Sequence, residues 1–353
     1  MPQKAPHLLI AASLAGLLAC APVPAGAHEV YVLTPLEISQ AVSMPSPDPF
    51  LAVPEQELNF LVWGVMSFLL VLLVLRFSLW KRLERACDPF LEGIKRWAPF
   101  ISRITLGASL IASASYRALF GPELPLAAVA GPHALLLRIA LFACGGLILL
   151  GLLTRVAACA ALAIFLLGVA RFHWYLLTYS NYLGEMIITL IAGGNLLAAD
   201  RLLSTRFKAF SRILSSAASP RLEEIGFLAL RVSSGAAIFF ASFYAKFLHS
   251  SLALDTVADY HLTSYLRFTP LFLVLGAFII EALIGAFFAL GFEVRFAALL
   301  FTGFLTVSLL FFGEVVWPHL ILFGVNFALF AQGYDRYTVE RRLFGRDRLE
   351  PIL

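Results

Sequence analysis

The chain has 353 residues, 60% of them hydrophobic and 14% charged, where soluble domains run at roughly 45–50% and about 25%. That excludes a soluble enzyme, a disordered chain and a nucleic-acid binder, and predicts an all-α integral membrane protein surrounded by lipid bilayer. The net charge is only +4, so where the charges lie says more than their sum. No P-loop, GxGxxG or GxSxG motif occurs, so nothing points to nucleotide binding or triad hydrolysis. Cys20, Cys87, Cys144 and Cys159 are scattered and lack CxxC spacing, which reads as free thiols.

Taken in chain order, residues 1–27 predict a cleaved signal peptide, with an apolar core from Leu8 to Cys20 and Ala25-Gly26-Ala27 before His28. Leu17-Leu18-Ala19-Cys20 offers a lipobox as the alternative. Cleavage after Ala27 would make His28 the amino terminus, where amine and imidazole chelate copper; a histidine that merely follows the site is the plainer account. Residues 28–58 form a polar exported segment, 59–80 a transmembrane helix and 81–102 a cytoplasmic linker.

A span needs about 20 apolar residues. Runs at Phe60–Leu79, Ile104–Leu119, Ala134–Leu152, Val156–Ala170, Leu183–Ala198, Phe227–Leu248, Leu271–Leu290, Phe296–Phe312 and His319–Ala331 predict nine mature spans. Arg117, Arg138, Arg171, Lys246 and Arg267 flank them on one side, and twenty other mature Lys and Arg lie on the other. The richer side is cytoplasmic by the positive-inside rule. The mature N-terminus is then outside and the basic tail, 337–353, inside the cell (inner) membrane.

Two stretches repeat. Arg103-x3-Gly107-Ala108-x7-Tyr116 matches Arg231-x3-Gly235-Ala236-x7-Tyr244, and Gly151-x3-Arg155-x-Ala-Ala matches Gly291-x3-Arg295-x-Ala-Ala. Asp200-Arg201 and Asp335-Arg336 close the two copies. The spans thus divide as 1 + 4 + 4, with two parallel-repeat four-helix bundles at 103–204 and 227–336. Gly-Ala pairs suit close helix approach, and the Gly-x3-Arg turns read as head-group anchors. Residues 205–226 link the units; Arg201–Ser216 has an amphipathic pattern suited to the membrane surface.

The N-terminal Arg, the Gly-x3-Arg-x-Ala-Ala turn and the closing Asp-Arg resemble the DoxX family of small four-helix membrane proteins. The resemblance covers roughly 100–205 and 225–337, a tandem DoxX-like arrangement with an added leader and one extra span. It implies a membrane location and, as for some relatives, association with sulfur oxidation, quinone reduction or oxidative-stress complexes. It carries over no catalytic set.

An ionisable residue deep in a span is a functional candidate. Glu281 stands eleven residues into its span, roughly 16 Å down. Arg231 is expected to reach it from the cytoplasmic side, whereas Lys246, near the outer end of the preceding span, is expected to stand too far away for a direct pair. Glu281, Arg231 and Tyr244 form the candidate catalytic group, for proton transfer or quinone hydrogen bonding; a structural ion pair or a protonated helix–helix hydrogen bond is the plainer reading. In the first unit Leu141 takes the place of Glu281. His133, His173, His261 and His319 all fall at the outer face, as do the acids Glu185, Asp255 and Glu314. Converging imidazoles suit copper, zinc or haem iron, although no HxxxH, HxH or CxxCH spacing supports it. Three functions follow as expectations: a redox-associated subunit working with an exported or membrane redox protein, a transporter or metal handler, and a non-catalytic scaffold.

Overall fold

The computed structural model describes residues 35–76, 78–194, 196–200, 218–314 and 316–344. The expected signal peptide, His28, the amphipathic segment 201–216 and the end of the tail lie outside the described residues. The main helices are α1 Glu57–Arg76, α2 Ser78–Lys95, α3 Ala98–Tyr116, α4 Ala134–Leu150, α5 Thr154–Phe172 and α6 Ser180–Ala192 in the first half. Then come α7 Pro220–Ser242, α8 Ser250–Asp259, α9 Pro270–Leu290, α10 Val294–Phe312, α11 Leu320–Gln332 and α12 Val339–Phe344. Among the described residues the only β pairing is an isolated bridge between Ala118 and Pro125.

Among the described residues, five helical stretches are long and apolar enough to cross a membrane: Leu126–Leu150, Thr154–Ala192, Pro220–Leu248, Pro270–Leu290 and Val294–Phe312. This is a multi-pass membrane protein by length and composition. The other expected spans are also helical, but α6 and α11 have only 13 residues each, about 20 Å of rise, and α3 carries a buried Arg103.

The repeat is a repeat of structure. α3 packs on α4 as α7 packs on α9, and α5–α6 matches α10–α11. Each unit's fourth helix also crosses over to the other unit: α6 lies on α7 and α11 on α3. Glycines permit the close crossings. A Cβ at Gly107 would stand 2.9 Å from the Gly145 carbonyl oxygen, and one at Gly285 would stand 2.8 Å from that of Gly235. A Cβ at Gly184 would come within 2.7 Å of Leu230 Cα, while the equivalent Gly324 packs on Thr105. Thr105 and Ser233 therefore sit at one depth, and α3 and α7 run parallel.

The turns repeat too. Gly151 and Gly291 end α4 and α9 at φ 66° and 71°, left-handed caps that glycine adopts without strain. Over these turns lie two buried arginines. Arg103 Nη2 donates to Leu197 O at 3.3 Å, and Arg231 donates to Phe288 O and Ala289 O at 3.0 Å and to Tyr337 O at 3.4 Å. Unpaired carbonyls at helix ends are satisfied this way.

Two sequence expectations need correction. Arg155 and Arg295 are not head-group anchors: Arg155 Nη2 donates to Ile191 O at 3.1 Å, Arg295 Nε donates to Phe330 O at 2.8 Å, and Arg295 is fully buried. They cap short helices whose last carbonyls face the protein interior. Asp200 and Asp335 each lie near the buried arginine of their unit, Arg103 and Arg231, but they do not share a capping role. Asp200 accepts from Leu153 N at 2.7 Å and Thr154 N at 3.1 Å, opening α5; at the start of α10 Glu340 accepts from Glu293 N at 2.9 Å. Asp200 and Glu340 also donate their own N–H to Gly151 O and Gly291 O. A capping contact needs an acid at the right depth, and the longer Glu340 side chain supplies it in the second unit.

Candidate functional site

Glu281 is buried on α9 and its partner is Lys246, with Nζ and Oε2 2.9 Å apart and both side chains under a tenth exposed. The expected Arg231 contact is not made. The reason is side-chain direction: every helical side chain leans toward its own N-terminus. α7 and α9 are antiparallel, so Lys246 and Glu281 lean toward each other across several residues of rise. Arg231 leans the opposite way, toward the arginine end, onto Phe288 O and Ala289 O. Lys246 also lies in a π-helical turn, Phe243–Leu248, that continues α7; such bulges recur at functional sites.

Stacked rings flank this pair. Phe239 and Phe243 have centroids 6.2 Å apart, Phe243 and Phe247 5.1 Å, and Phe247 and Phe278 5.7 Å. Phe239 and Ile280 are about half exposed, which puts one edge of the ladder toward the membrane. Tyr244 lies beside it against Tyr175, centroids 5.2 Å apart, and His249, 4.6 Å. Burial holds the His249 imidazole below the ordinary histidine range.

The candidate metal residues do not converge. His133, His173 and His261 are exposed, each in a separate turn, and among the described residues no three His, Cys, Asp or Glu form a group that would hold a metal. His261 follows α8 with φ 50° and donates its N–H to Ala258 O, so the Asp255–His261 stretch is a helix and its cap. His319 is buried instead, its Nε2 3.1 Å from Glu314 Oε2, while Ser308 donates to Glu314 Oε1 at 2.7 Å. Nearby Trp317 stacks on Tyr116 at 5.1 Å.

One group was misplaced by sequence reasoning. Glu185, expected at a surface, is fully buried near the middle of α6. The loop before it is taken up by a 3-10 segment, His173–Tyr179, so α6 begins at Ser180. Thr105 Oγ1 on α3 lies 3.0 and 3.2 Å from the two Glu185 oxygens. Ser102 and Ser109 on α3, and Asn181 and Thr189 on α6, are buried on the same two stripes. The signal was legible: Asn181, Glu185 and Thr189 are four apart, and Ser102, Thr105 and Ser109 are three and four apart, each one helix face. Toward the other end of the unit, Tyr175 donates to Glu123 Oε1 at 3.1 Å and Tyr179 donates to the same oxygen.

Comparison with family models, curated proteins and solved structures gives no match for this chain.

Proposed function

We propose that the protein is a redox-associated membrane subunit that holds a quinone head group beside Lys246 and Glu281. The observation that carries this reading is the 2.9 Å Lys246–Glu281 contact alongside a ladder of stacked phenylalanines. A flat conjugated ring with polar oxygens fits such surroundings: ring faces stack on Phe, and an ammonium and a carboxylate offer a donor and an acceptor at membrane depth. A bound quinone supplies coupled electron and proton uptake. Lys246 Nζ orients a carbonyl oxygen, Glu281 holds or accepts the proton, and Tyr244 forms part of the wall. Arg231 keeps the end of α9 in place and does not touch the reacting atoms.

In this reading the chain has the DoxX-like plan of its sequence motifs. Nine spans stand as 1 + 4 + 4 in the inner membrane, with the N-terminus outside and the tail in the cytoplasm. The exported segment 28–58 meets an exported or membrane redox protein. Copper and haem are disfavoured by the dispersed histidines.

Purification in mild detergent from quinone-containing membranes tests it, by solvent extraction, chromatography of the extract and identification of co-purifying proteins. Quinone in stoichiometric amount, reduced at least tenfold in Glu281→Gln and Phe278→Ala, is expected. A quinone-free wild-type protein carrying a metal would replace this reading with metal handling. A quinone- and metal-free protein whose partner complex keeps full activity after Glu281→Ala would leave a scaffold.

A further inference from the structure

The two units share a frame, so each serves as a control for the other. Offsets that superpose the structural residues (Gly107 on Gly235, Gly184 on Gly324, Gly193 on Gly333) also pair the polar stripe of the first unit with its counterparts. Ser102 corresponds to Leu230, Ser109 to Ala237, Asn181 to Ile321, Glu185 to Val325 and Thr189 to Leu329; only Thr105 meets another hydroxyl, Ser233. The same fold is built without these polar groups, so packing does not require them. Burying them costs free energy unless something bonds them.

Their hydroxyls differ from those that bond back along their own helix, although Ser234 and Asn326 of the second unit are also buried without a hydrogen bond. Thr302, Thr306 and Ser115 each donate to the carbonyl one turn back, at 2.7–2.8 Å. Ser102 Oγ, Thr189 Oγ1 and Asn181 Oδ1 are buried and make no hydrogen bond within the chain, and Ser109 Oγ has only the Tyr182 hydroxyl beside it. These atoms share the α3 and α6 faces on which Thr105 and Glu185 meet.

The contact itself accommodates two protonation states. Thr105 has one hydroxyl proton and two acceptors nearly equidistant from Oγ1, Ile101 O at 2.9 Å and Glu185 Oε1 at 3.0 Å. With Glu185 protonated, the acid donates to Thr105 and Thr105 donates to Ile101 O. With Glu185 ionised, the hydroxyl rotates and donates to the carboxylate. No heavy atom needs to move.

Neighbouring charges are engaged elsewhere. Tyr182, on the same helix, donates to Phe120 O, and Tyr175 and Tyr179 donate to Glu123. From α3, α5, α7 and α11, Arg103 bonds Leu197 O, Arg155 bonds Ile191 O, Arg231 bonds Phe288 O, and His319 meets Glu314. Among the described residues no cation pairs with Glu185.

We propose that Glu185 is a proton-exchange site: a carboxylic acid that gives its proton to, and takes it back from, water bonded along Ser102, Ser109, Asn181 and Thr189. In the exchange a Glu185 O–H bond breaks, water becomes hydronium, and the Thr105 hydroxyl turns to the carboxylate; the return step reverses each change. The site lies in the unit without Lys246 and Glu281, and its test needs no quinone, so it stands independently of the reading above.

The full chain in phosphatidylcholine vesicles, measured by infrared spectroscopy in H2O and D2O over a pH series, tests it. A protonated-carboxyl band is expected that is absent in Glu185→Gln, shifts promptly on D2O exchange and disappears reversibly as pH rises. Thr105→Val should move the band's frequency without removing it, which reports on Glu185 even if the Gln variant folds poorly. A band unchanged in D2O, or constant at every pH, would make Glu185 a sealed structural acid. Loss of the band on adding sodium at fixed pH would make it a cation site. Either result overturns the proposal.

Discussion

The two four-helix units keep the same skeleton and fill it with opposite chemistry. In both, glycines bring the first and second helices into backbone contact, buried arginines cover the turn after the second helix, and positive-φ glycines end the second and fourth. The first unit then adds uncharged polar groups around one buried acid, whereas the second places an ammonium against a carboxylate among phenylalanines. The repeated residues satisfy backbone groups or allow close approach, and those needs are fixed by the fold. The side chains facing each other between helices are not fixed, and there the copies part.

The largest effect expected is in the second unit. Lys246→Met leaves Glu281 buried without its partner and should cost about 3–5 kcal/mol, read as a fall in thermal midpoint in detergent. Changing Lys246→Ala together with Glu281→Leu installs the first unit's Ala118 and Leu141 and should restore most of that stability. A double variant as unstable as Lys246→Met would mean the units differ in more than these side chains.

The shared frame predicts equality. Gly107→Val and Gly235→Val drive a side chain into the facing backbone, with Leu149 N at 2.8 Å and Ala289 N at 2.7 Å from the added Cβ. Each should cost about 3 kcal/mol by overpacking, and a clear inequality in their denaturation midpoints would break the structural equivalence.

The smallest effect concerns His249. Burial lowers its folded value below 6.5, so the unfolded chain binds the proton more readily. Stability is full above the unfolded value of 6.5 and is lost as pH falls from there through the lowered folded value. Tyr244→Ala uncovers the ring and should move its titration, followed by histidine-selective NMR, upward toward the ordinary value. An unmoved titration would show that other atoms keep the ring from water.

Helix positions, the duplication and the place of Glu281 midway along its helix were legible because hydropathy and glycine–arginine spacing are local properties. What escaped depends on direction and level. The Lys246 partner follows from antiparallel helices whose side chains lean together, which a count of residues along one helix does not contain. Asp335 resembles Asp200 in sequence, yet Glu340 stands at the capping depth. Glu185 was assigned to a surface because the 3-10 turn before α6 moves the helix start. Its stripe partners on α3 and α6 were nevertheless readable from their spacing alone.

The crossing of each fourth helix onto the other unit has a consequence for how this molecule comes apart. α6 buries its face on α7, and α11 on α3, so a half cut from its neighbour would expose two apolar seams at once. Two separate copies joined this way would form a symmetric pair in which a change on one seam is forced onto its mate. A single continuous chain lifts that constraint. Glu185 on α6, set against Thr105 of its own unit, has Val325 as its counterpart on α11, and such an uneven distribution of charge is open to a protein that carries both halves in one polypeptide.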